Sequence, residues 1–335
     1  MAANVRSVTP RKRSRARRVL KWLMLIVVLL LIFFIFGVVP YFLSSVIIHA
    51  SSRPSDRVAT NTPGTFGCSI FQDVTFPAAD GVPIAAWYLP ADTSKAKGID
   101  IVIGHGLFRS RQETVDRGVR LWKLGYGVLL MDMRHHGKSG GQISSMGYFE
   151  RYDFEGGLKF LQEHDPNAQI AFMGVSMSAA ASLLAAAESD HVIGVVADST
   201  FLNFTDVVNH HAEILFDRFP WWLRVLKPLR VPIKEEFMFL AQRRGGFDAK
   251  NFDIEAAVQK IEVPIFFITG SDDDRMPPEI SRRLFREESN IHKQFWMVTS
   301  KGEDPNEKAT HGHAFEVEPD AYVTKVDQFL TGIRQ

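Results

Sequence analysis

The sequence predicts an α/β protein with a mostly parallel β-sheet that is covered by helices on both faces. From about residue 68 onward, short apolar runs alternate with amphipathic helical runs. Several of these runs, such as Val192–Ala197 and Pro264–Thr269, are apolar at nearly every position, which is typical of strands buried on both faces. Between Gln169 and Ser189, one apolar run turns directly into an Ala- and Leu-rich helix at Ser176.

The chain begins with a strongly basic tail. Residues 1–21 contain no acidic residue and carry a charge of +8, from Arg6, Arg11, Lys12, Arg13, Arg15, Arg17, Arg18 and Lys21. Since the whole chain has a net charge of +1, residues 22–335 carry −7. A mildly acidic main domain argues against nucleic-acid binding, which needs a basic surface.

An apolar run from Trp22 to Ile48 follows the tail and contains no charged residue. It exceeds the roughly 20 residues that cross a bilayer as a helix. We therefore predict a membrane anchor at 22–48 and, by the positive-inside rule, a cytoplasmic tail at 1–21. The large domain then lies outside the cytoplasm, at the cell (inner) membrane. A signal peptide cleaved at Ala50 is the alternative, although its apolar core would be only about 7–15 residues long.

The polar stretch 49–65 is interpreted as a linker, so that the globular domain comprises residues 66–335. The first two strands are predicted at Cys68–Phe76 and Pro83–Leu89, joined by a turn with Asp80-Gly81, which is typical of hairpins. Cys68 is the single cysteine of the chain, which excludes an internal disulfide and a cysteine-based metal site.

The rest of the domain alternates strands with helices. Further strands are predicted at Ile99–Gly104, Tyr126–Met131, Ile170–Met173, Val192–Ala197, Pro264–Thr269 and Gln294–Thr299. Helical runs between them place apolar residues on one face, such as Val115, Val119 and Trp122 in the first and Phe154, Leu158 and Leu161 in the second. Other helices begin after Ser176, at Pro278 and at Asp320. The aromatic and basic segment 201–260 has no clear strand and is interpreted as a lid- or cap-like insertion.

The turn at Gly174–Ser178 has the layout of a nucleophile elbow, in which small residues flank a serine between a strand and a helix. Gly174 and Ser178 must be small because the strand and the helix nearly touch there. The fifth position is usually glycine, so Ser178 departs slightly from the pattern. A plain strand-to-helix connection produces the same short string, and the partners of Ser176 must therefore decide its function.

A nucleophilic serine needs a base, and the base needs an orienting acid. Two loops that follow predicted strands carry candidates: Gly270–Pro277 holds Asp272, Asp273 and Asp274, and Thr310–His313 holds His311 and His313. The order Ser, Asp, His along the chain accompanies a nucleophile elbow.

From about residue 66 onward, the chain resembles the α/β-hydrolase superfamily. It is most similar to bacterial membrane-anchored serine hydrolases and esterase-like proteins, related to the dienelactone hydrolase and acyl-peptidase branches. The resemblance covers nearly the whole domain and implies the α/β-hydrolase fold. It is carried by the elbow and by His105-Gly106, Asp132-x-Arg134-x-x-Gly137-x-Ser139, Gly270-x-x-Asp273-x-x-Met276-Pro277 and the late histidine.

The resemblance also implies roles for individual residues. The family places the acid three residues after the Gly and four before the Pro of its loop, which selects Asp273. It places the histidine eight residues before a Pro and eleven before a Tyr, which selects His311, with His313 as the alternative. The oxyanion hole is implied to be the backbone amides of Met177 and, after His105-Gly106, Leu107. We interpret His105, Asp132, Arg134 and Ser139 as structural.

We therefore expect a serine hydrolase of carboxylesterase or lipase type, which cleaves a small-molecule or lipid-like acyl ester or thioester and needs no cofactor. Neither His135-His136 nor His210-His211 has an acidic partner spaced for a metal site. A peptidase or acyltransferase of the same fold is one alternative, and a catalytically silent, membrane-tethered binding module is another. Segment 201–247 is either a set of amphipathic helices over the core or an apolar lid beside the membrane.

Overall fold

An eight-stranded sheet forms the centre of the protein. The computed structural model describes residues 12–57 and 60–333, so residues 1–11 of the predicted basic tail lie outside the described residues. The strands are β1 (Gln72–Pro77), β2 (Pro83–Leu89), β3 (Ile99–Ile103), β4 (Gly127–Met131), β5 (Gln169–Val175), β6 (Val192–Asp198), β7 (Ile265–Gly270) and β8 (Gln294–Val298). Their order is β1-β2-β4-β3-β5-β6-β7-β8. Only β2 pairs antiparallel, with β1 and β4, so the predicted mostly parallel sheet is confirmed.

Helices cover both faces of this sheet. They are α1 (Lys12–Phe33), α2 (Val39–Ile48), α3 (Pro54–Arg57), α4 (Val115–Lys123), α5 (Arg151–His164), α6 (Met177–Ala186), α7 (Phe204–Asp217), α8 (Arg230–Gly245), α9 (Ile254–Val258), α10 (Pro278–Glu287), α11 (Ala314–Val317) and α12 (Pro319–Gly332). Alternate residues of a strand point to opposite faces, as Ile101 and Ile103 pack with α4 and α12 while Val102 packs with α5 and α6. The two faces thus carry two separate hydrophobic cores.

The amino-terminal helix is apolar and continuous from Arg15 to Ile48, a length of 34 residues. A π-helical turn at Phe34–Val38 joins α1 to α2, directly before Pro40, which has no N–H to donate. The length and composition of the helix Arg15–Ile48 suit both a membrane anchor and a signal sequence. The side chains of α1 from residue 15 are exposed, whereas Pro40, Ser44 and Ile48 of α2 are buried against the rest of the protein.

One expectation at the start of the domain was wrong. Cys68 lies before the first strand, because a 3₁₀ turn at Pro63–Phe66 ends in a left-handed Gly67 and Cys68 N–H donates to the Pro63 carbonyl. The strand begins only at Gln72, and Cys68 is fully buried. In the stretch 49–65, which is predicted to be a linker, Ala50 and Ser52 are buried.

The segment 201–260, predicted to be a lid- or cap-like insertion, is mostly helical, and we call it the cap below. It contains α7, a 3₁₀ segment at Trp221–Leu229, α8, a short 3₁₀ turn and α9. Its one β-like pairing is an isolated bridge between Asn203 and Asp253. Phe204, Phe237 and Phe252 of the cap are buried in the same core as α5 and α6, so the cap packs on that face of the sheet.

Candidate active site

Ser176 lies at the sharp turn between β5 and α6. Its backbone has φ 55° and ψ −113°, a sparsely populated conformation for a residue with a side chain. The turn is fixed by a hydrogen bond of 2.8 Å from Ser176 N–H to the carbonyl of Asp198, at the end of the neighbouring strand β6. The Ser176 side chain is held at the carboxyl end of the sheet and is only partly buried.

The residues on each side of Ser176 allow this turn to form. A Cβ atom at Gly174 would lie 2.3 Å from the carbonyl oxygen of Ser178 and 2.4 Å from the nitrogen of Ala179. Ser178, which departs from the usual glycine, accepts a hydrogen bond of 2.8 Å from Val175 N–H and donates one of 3.1 Å to the Val175 carbonyl. Its hydroxyl therefore braces the turn, a function that the sequence pattern did not indicate.

The structure brings Ser176, His311 and Asp273 together in a line. His311 Nε2 is 2.7 Å from Ser176 Oγ, and His311 Nδ1 is 2.8 Å from Asp273 Oδ2. The other carboxylate oxygen of Asp273 accepts hydrogen bonds from the backbone of Arg275 and Met276, at 3.1 and 2.8 Å. With Nδ1–H donating to Asp273, His311 Nε2 is free to accept the serine proton.

The other candidates in these two loops lie elsewhere. His313 is exposed at the beginning of α11. The Asp272 carboxylate accepts a hydrogen bond from Ser300, and the exposed Asp274 lies 3.8 Å from Arg218 of the cap. Of the predicted alternatives, only Asp273 and His311 are within hydrogen-bonding distance of each other.

The two amides predicted for the oxyanion hole come from elements that meet beside Ser176. Met177 N–H is the first of α6 and has no acceptor within the helix. Leu107 follows the end of β3, where a Cβ at Gly104 would lie 2.6 Å from the Ser178 side chain. The loop after β3 and the amino end of α6 thus lie on the same side of the turn at Ser176.

The loop at Gly106–Arg109, called the oxyanion loop below, is held in place at every residue that flanks Leu107. Gly106 N–H donates to Glu113 at 2.7 Å, and its carbonyl accepts from His105 Nδ1 at 2.8 Å. Phe108 has a positive φ of 65°, and its N–H donates to His136 Nε2 at 3.3 Å. The backbone at Leu107 is therefore fixed from both directions.

The segment that follows α2 supports the oxyanion loop, which the sequence interpretation as a linker missed. Arg53 N–H donates to the Phe108 carbonyl at 2.9 Å. Ser52 Oγ donates to the Arg109 carbonyl at 2.5 Å and accepts from Gly137 N–H at 2.7 Å. The only signal in the sequence was that this short segment leads directly from the apolar helix into the domain.

The histidines and acids interpreted as structural make hydrogen bonds that fit such a role. The fully buried His105 accepts from Met133 N–H at 3.0 Å through Nε2, and burial lowers its pKa. Burial and the neighbouring His105 lower the pKa of His136 to about 3.

The Asp132 carboxylate accepts from the backbone of Arg111 and Lys138, both at 2.9 Å. Arg134 bridges Asp80 and Asp153, while Ser139 Oγ donates to the Asp132 carbonyl.

A buried polar cluster below His311 was not predicted. Asp198 accepts a hydrogen bond from Tyr322 at 3.0 Å and lies 3.7 Å from Arg117, which is fully buried. Burial raises the pKa of Asp198 to about 6, against the lowering effect of Arg117, Ser199 and Tyr322. Ser199 Oγ also accepts from Gly312 N–H at 3.1 Å, which ties this cluster to the His311 loop. The position of Asp198 at the end of a strand was the available signal.

The cap approaches the site from the side of the loop Gly270–Pro277, called the acid loop below. His210 of α7 hydrogen bonds through Nε2 to the Asp274 carbonyl at 2.7 Å. The side chain of His311 is 13% exposed, so the cap does not cover it completely. Within the described residues, no group of three or more His, Cys, Asp and Glu side chains has the arrangement to hold a metal ion.

Comparison with known proteins places this arrangement in a family. A sequence model of the family described as serine aminopeptidase, S33, matches residues 95–245. The chain is similar to the uncharacterized protein YqkD of Bacillus subtilis, with 31% identity over 76% of this chain and 77% of that protein. It is also similar to the polyketide transferase ATR5 of Stachybotrys chlorohalonatus, with 26% identity over 69% of this chain and 89% of that protein.

Among solved structures, the esterase Pf2001 of Pyrococcus furiosus superposes with a TM-score of 0.65 and 25% identity. The match covers 84% of this chain and 98% of the esterase. The sheet order and the strand-turn-helix at Ser176 point to the same fold as these similarities. The chain belongs to the α/β-hydrolase superfamily, and its family match and structural neighbours make it a hydrolase.

Proposed function

We propose that the protein is a membrane-anchored serine hydrolase that cleaves a carboxylic ester or thioester through an acyl-serine intermediate. The observation that carries the proposal is the line from Ser176 through His311 to Asp273, with distances of 2.7 and 2.8 Å. Both distances lie in the range that proton transfer from a serine hydroxyl to a base requires.

In this mechanism, Ser176 Oγ attacks the substrate carbonyl carbon while His311 Nε2 takes the hydroxyl proton. Asp273 keeps the imidazole in the required tautomer and stabilises its positive charge. The amides of Leu107 and Met177 stabilise the oxyanion of the tetrahedral intermediate, each by roughly 100- to 1000-fold in rate. His311 then donates its proton to the leaving alcohol or thiol. A water molecule, deprotonated by the same histidine, releases the acid from the serine.

Ester or thioester cleavage is favoured over the alternatives by the similarity to the Pyrococcus furiosus esterase, which covers most of both chains. The peptidase alternative is supported by the name of the matching family, serine aminopeptidase. The acyltransferase alternative is supported by the name of the similar polyketide transferase. All three share the acyl-serine step and differ only in the acyl donor and in the acceptor.

Membrane anchoring without cleavage is supported by the packing of α2. Ile48 and Ala50 are each 1% exposed, and Ile48 belongs to the core that contains α6 and the cap. Cleavage after Ala50 would remove both residues and uncover α8. We therefore propose that residues 22–48 remain attached as an anchor, with the amino terminus in the cytoplasm and the hydrolase domain outside it. Protease treatment of intact cells, or of spheroplasts where an outer membrane surrounds the cell, should digest the domain. Protection until the membrane that carries the anchor is lysed would contradict this orientation.

The test of the chemistry is labelling of membranes with a fluorophosphonate probe, which reports an activated serine without assuming a substrate. We expect labelling of the wild type, none of Ser176→Ala or His311→Ala, and normal labelling of His313→Ala as the matched control. If folded wild-type protein is not labelled in membranes or in detergent, the silent binding module is supported instead. If His313→Ala alone abolishes labelling, the assignment of the base is wrong.

A further inference from the structure

The outer surface of the cap exposes large apolar side chains, with basic residues between them. In the 3₁₀ segment, Trp221 is 82% exposed, Trp222 60% and Val225 77%. From Arg218 to Lys234 the chain contains five basic residues and no acidic residue. Four of the five pair with carboxylates: Arg218 with Asp274, Lys227 with Asp217, Arg230 with Glu213 and Lys234 with Glu235. Arg224, between Trp222 and Val225, is exposed. Exposed aromatic side chains next to arginine and lysine are characteristic of protein surfaces that lie at the membrane–water interface.

Helix α8 fixes the position of this surface relative to the amino-terminal helix. Its carboxyl end lies beside the end of α2, where a Cβ at Gly245 would be 3.4 Å from Ile48. Arg244 donates to Ser44 and Ser45, both at 2.8 Å, and its guanidinium lies 4.0 Å from the ring centre of Tyr41. Because α8 also packs against the π-helical turn Phe34–Val38, it runs antiparallel to α2.

This direction brings the beginning of α8, and the 3₁₀ segment before it, toward the apolar part of the anchor. A bilayer core about 30 Å thick takes about 20 helical residues. Counted from Trp22, the first residue of the apolar run, that span ends near Tyr41. The turn at Phe34–Val38 then lies 3 to 7 residues before Tyr41, in the half of the bilayer that faces the domain. At about 1.5 Å per residue this is within about 10 Å of the headgroups, so the cap surface beside it lies at the boundary between headgroups and acyl chains.

We propose that the surface formed by Trp221, Trp222, Arg224 and Val225 is a second membrane contact, which inserts its apolar side chains among the lipids. Arg224 is exposed, so it can pair with an anionic headgroup. The inference rests on the membrane-anchor part of the proposed function. It also narrows the substrate class: since α7 joins this surface to the acid loop through His210 and Asp274, the site opens next to the bilayer and receives acyl esters that reside in it.

The test uses the full-length protein in lipid nanodiscs that contain phosphatidylcholine and phosphatidylglycerol. In a Cys68→Ala background, a spin label is attached at Val225→Cys or, as a matched control, at Ile291→Cys. Ile291 is an equally apolar and exposed residue, 86% exposed, next to the far strand β8. Power saturation then measures how often each label collides with oxygen, which concentrates in lipid, and with a nickel chelate, which remains in water.

We expect the label at position 225 to collide mainly with oxygen and the label at position 291 mainly with nickel. Equal nickel accessibility at both positions would overturn the proposal. Protection of position 225 from both reagents would also overturn it, because it would indicate that a second copy of the chain covers the surface. This measurement does not depend on catalysis, so it separates a failure of the membrane contact from a failure of the hydrolase proposal.

A second measurement tests the consequence for the substrate. In Trp221→Ser with Trp222→Ser, hydrolysis of a long-chain ester embedded in the nanodisc should fall by at least about 10-fold, the factor that ~1.4 kcal/mol of lost binding produces. Hydrolysis of water-soluble p-nitrophenyl acetate and fluorophosphonate labelling should not change. Equal loss on both esters would contradict the role of this surface, whereas absence of any hydrolysis in the wild type would contradict the proposed function alone.

Discussion

The edge of the sheet that carries Ser176 and the cap above it differ in where their side chains are directed. At the edge, the backbone of Ser176 is strained and its neighbours leave no room for an added methyl group at Gly174. In the cap, only the inner face is packed, and the outer face exposes Trp221 and Trp222. The comparison teaches that the side chains proposed to react are held by the rigid part of the molecule. The surface proposed to contact the membrane belongs to the part with least regular structure.

The largest effect should come from a change that keeps the shape of the rigid edge but alters its hydrogen bonding. In Asp273→Asn, the amide can donate to His311 Nδ1 and so favour the tautomer that carries its proton on Nε2, which cannot accept the serine proton. We expect kcat for a soluble ester to fall by about 10⁴-fold with little change in KM. Asp274→Asn, one residue away and exposed, is the control. A similar loss in both variants would show that the loop, and not the Asp273 carboxylate, matters.

The second prediction concerns the close contact at the elbow. In Gly174→Ala, the new methyl group would collide with backbone atoms of Ser178 and Ala179 that cannot rotate away. We expect the free energy of unfolding to fall by about 3 kcal/mol or more, or the protein to fail to fold. Gly332→Ala, where nothing lies within 4 Å, should change it by less than about 1 kcal/mol. Equal stability of the two variants in urea titrations would contradict the packing at the elbow.

Much of this rigid edge could be predicted from the sequence because the information is local. A strand that turns into a helix at Ser176, and loops that follow later strands, necessarily meet at the carboxyl edge of a parallel sheet. That reasoning placed the loops Gly270–Pro277 and Thr310–His313 near Ser176, and the family resemblance selected Asp273 and His311 within them. The structure has the three side chains in contact; their catalytic roles stay predictions.

The contacts that the sequence did not predict join segments far apart in the chain. Ser52 and Gly137, which share a hydrogen bond, are separated by 85 residues, and no periodic pattern marks such a pair. Polar composition suggested a linker at 49–65, but tertiary packing placed Ser52 against the oxyanion loop. The hydroxyl of Ser178 was missed for a different reason, since a pattern that asks only for a small residue does not specify a hydrogen bond.

The third prediction tests whether this neighbouring segment belongs functionally to the rigid edge. Ser52→Ala removes the hydrogen bond to the Arg109 carbonyl and leaves the Gly137 N–H without its acceptor. Two lost bonds at about 1 kcal/mol each should loosen the oxyanion loop and lower kcat by about 10-fold with KM unchanged. Ser52→Thr should restore most of the activity, and Ser55→Ala, at an exposed position, should have no effect. Loss of thermal stability without any change in kcat would instead assign Ser52 a purely structural role.

The smallest effect should appear as a pH dependence of stability at His136, where the oxyanion loop meets the sheet. His136 Nε2 accepts the Phe108 N–H and its Nδ1 donates to the Arg134 carbonyl at 2.8 Å, so protonation would place two donors against each other. Because its pKa in the folded protein, about 3, is below its ordinary value, the stability that the neutral ring contributes is complete above about pH 6.5 and is lost as the pH falls. The pKa of buried Asp198 is raised, so its contribution to stability increases as the pH falls. The pH dependence of the wild type alone therefore does not separate the contribution of His136.

A comparison of variants isolates the contribution of His136 to the pH dependence of stability. In urea unfolding between about pH 7.5 and about pH 5.5, the wild type should lose about 1 kcal/mol more than His136→Gln, whose side chain can still accept the Phe108 N–H but does not titrate. The exposed His191→Gln should follow the wild type at every pH. If His136→Gln instead shows the same slope as the wild type, the ring is already protonated or solvated in the folded state. The oxyanion loop would then lack a buried hydrogen bond that distinguishes this edge from the exposed outer face of the cap, and the contrast between the two regions would not hold.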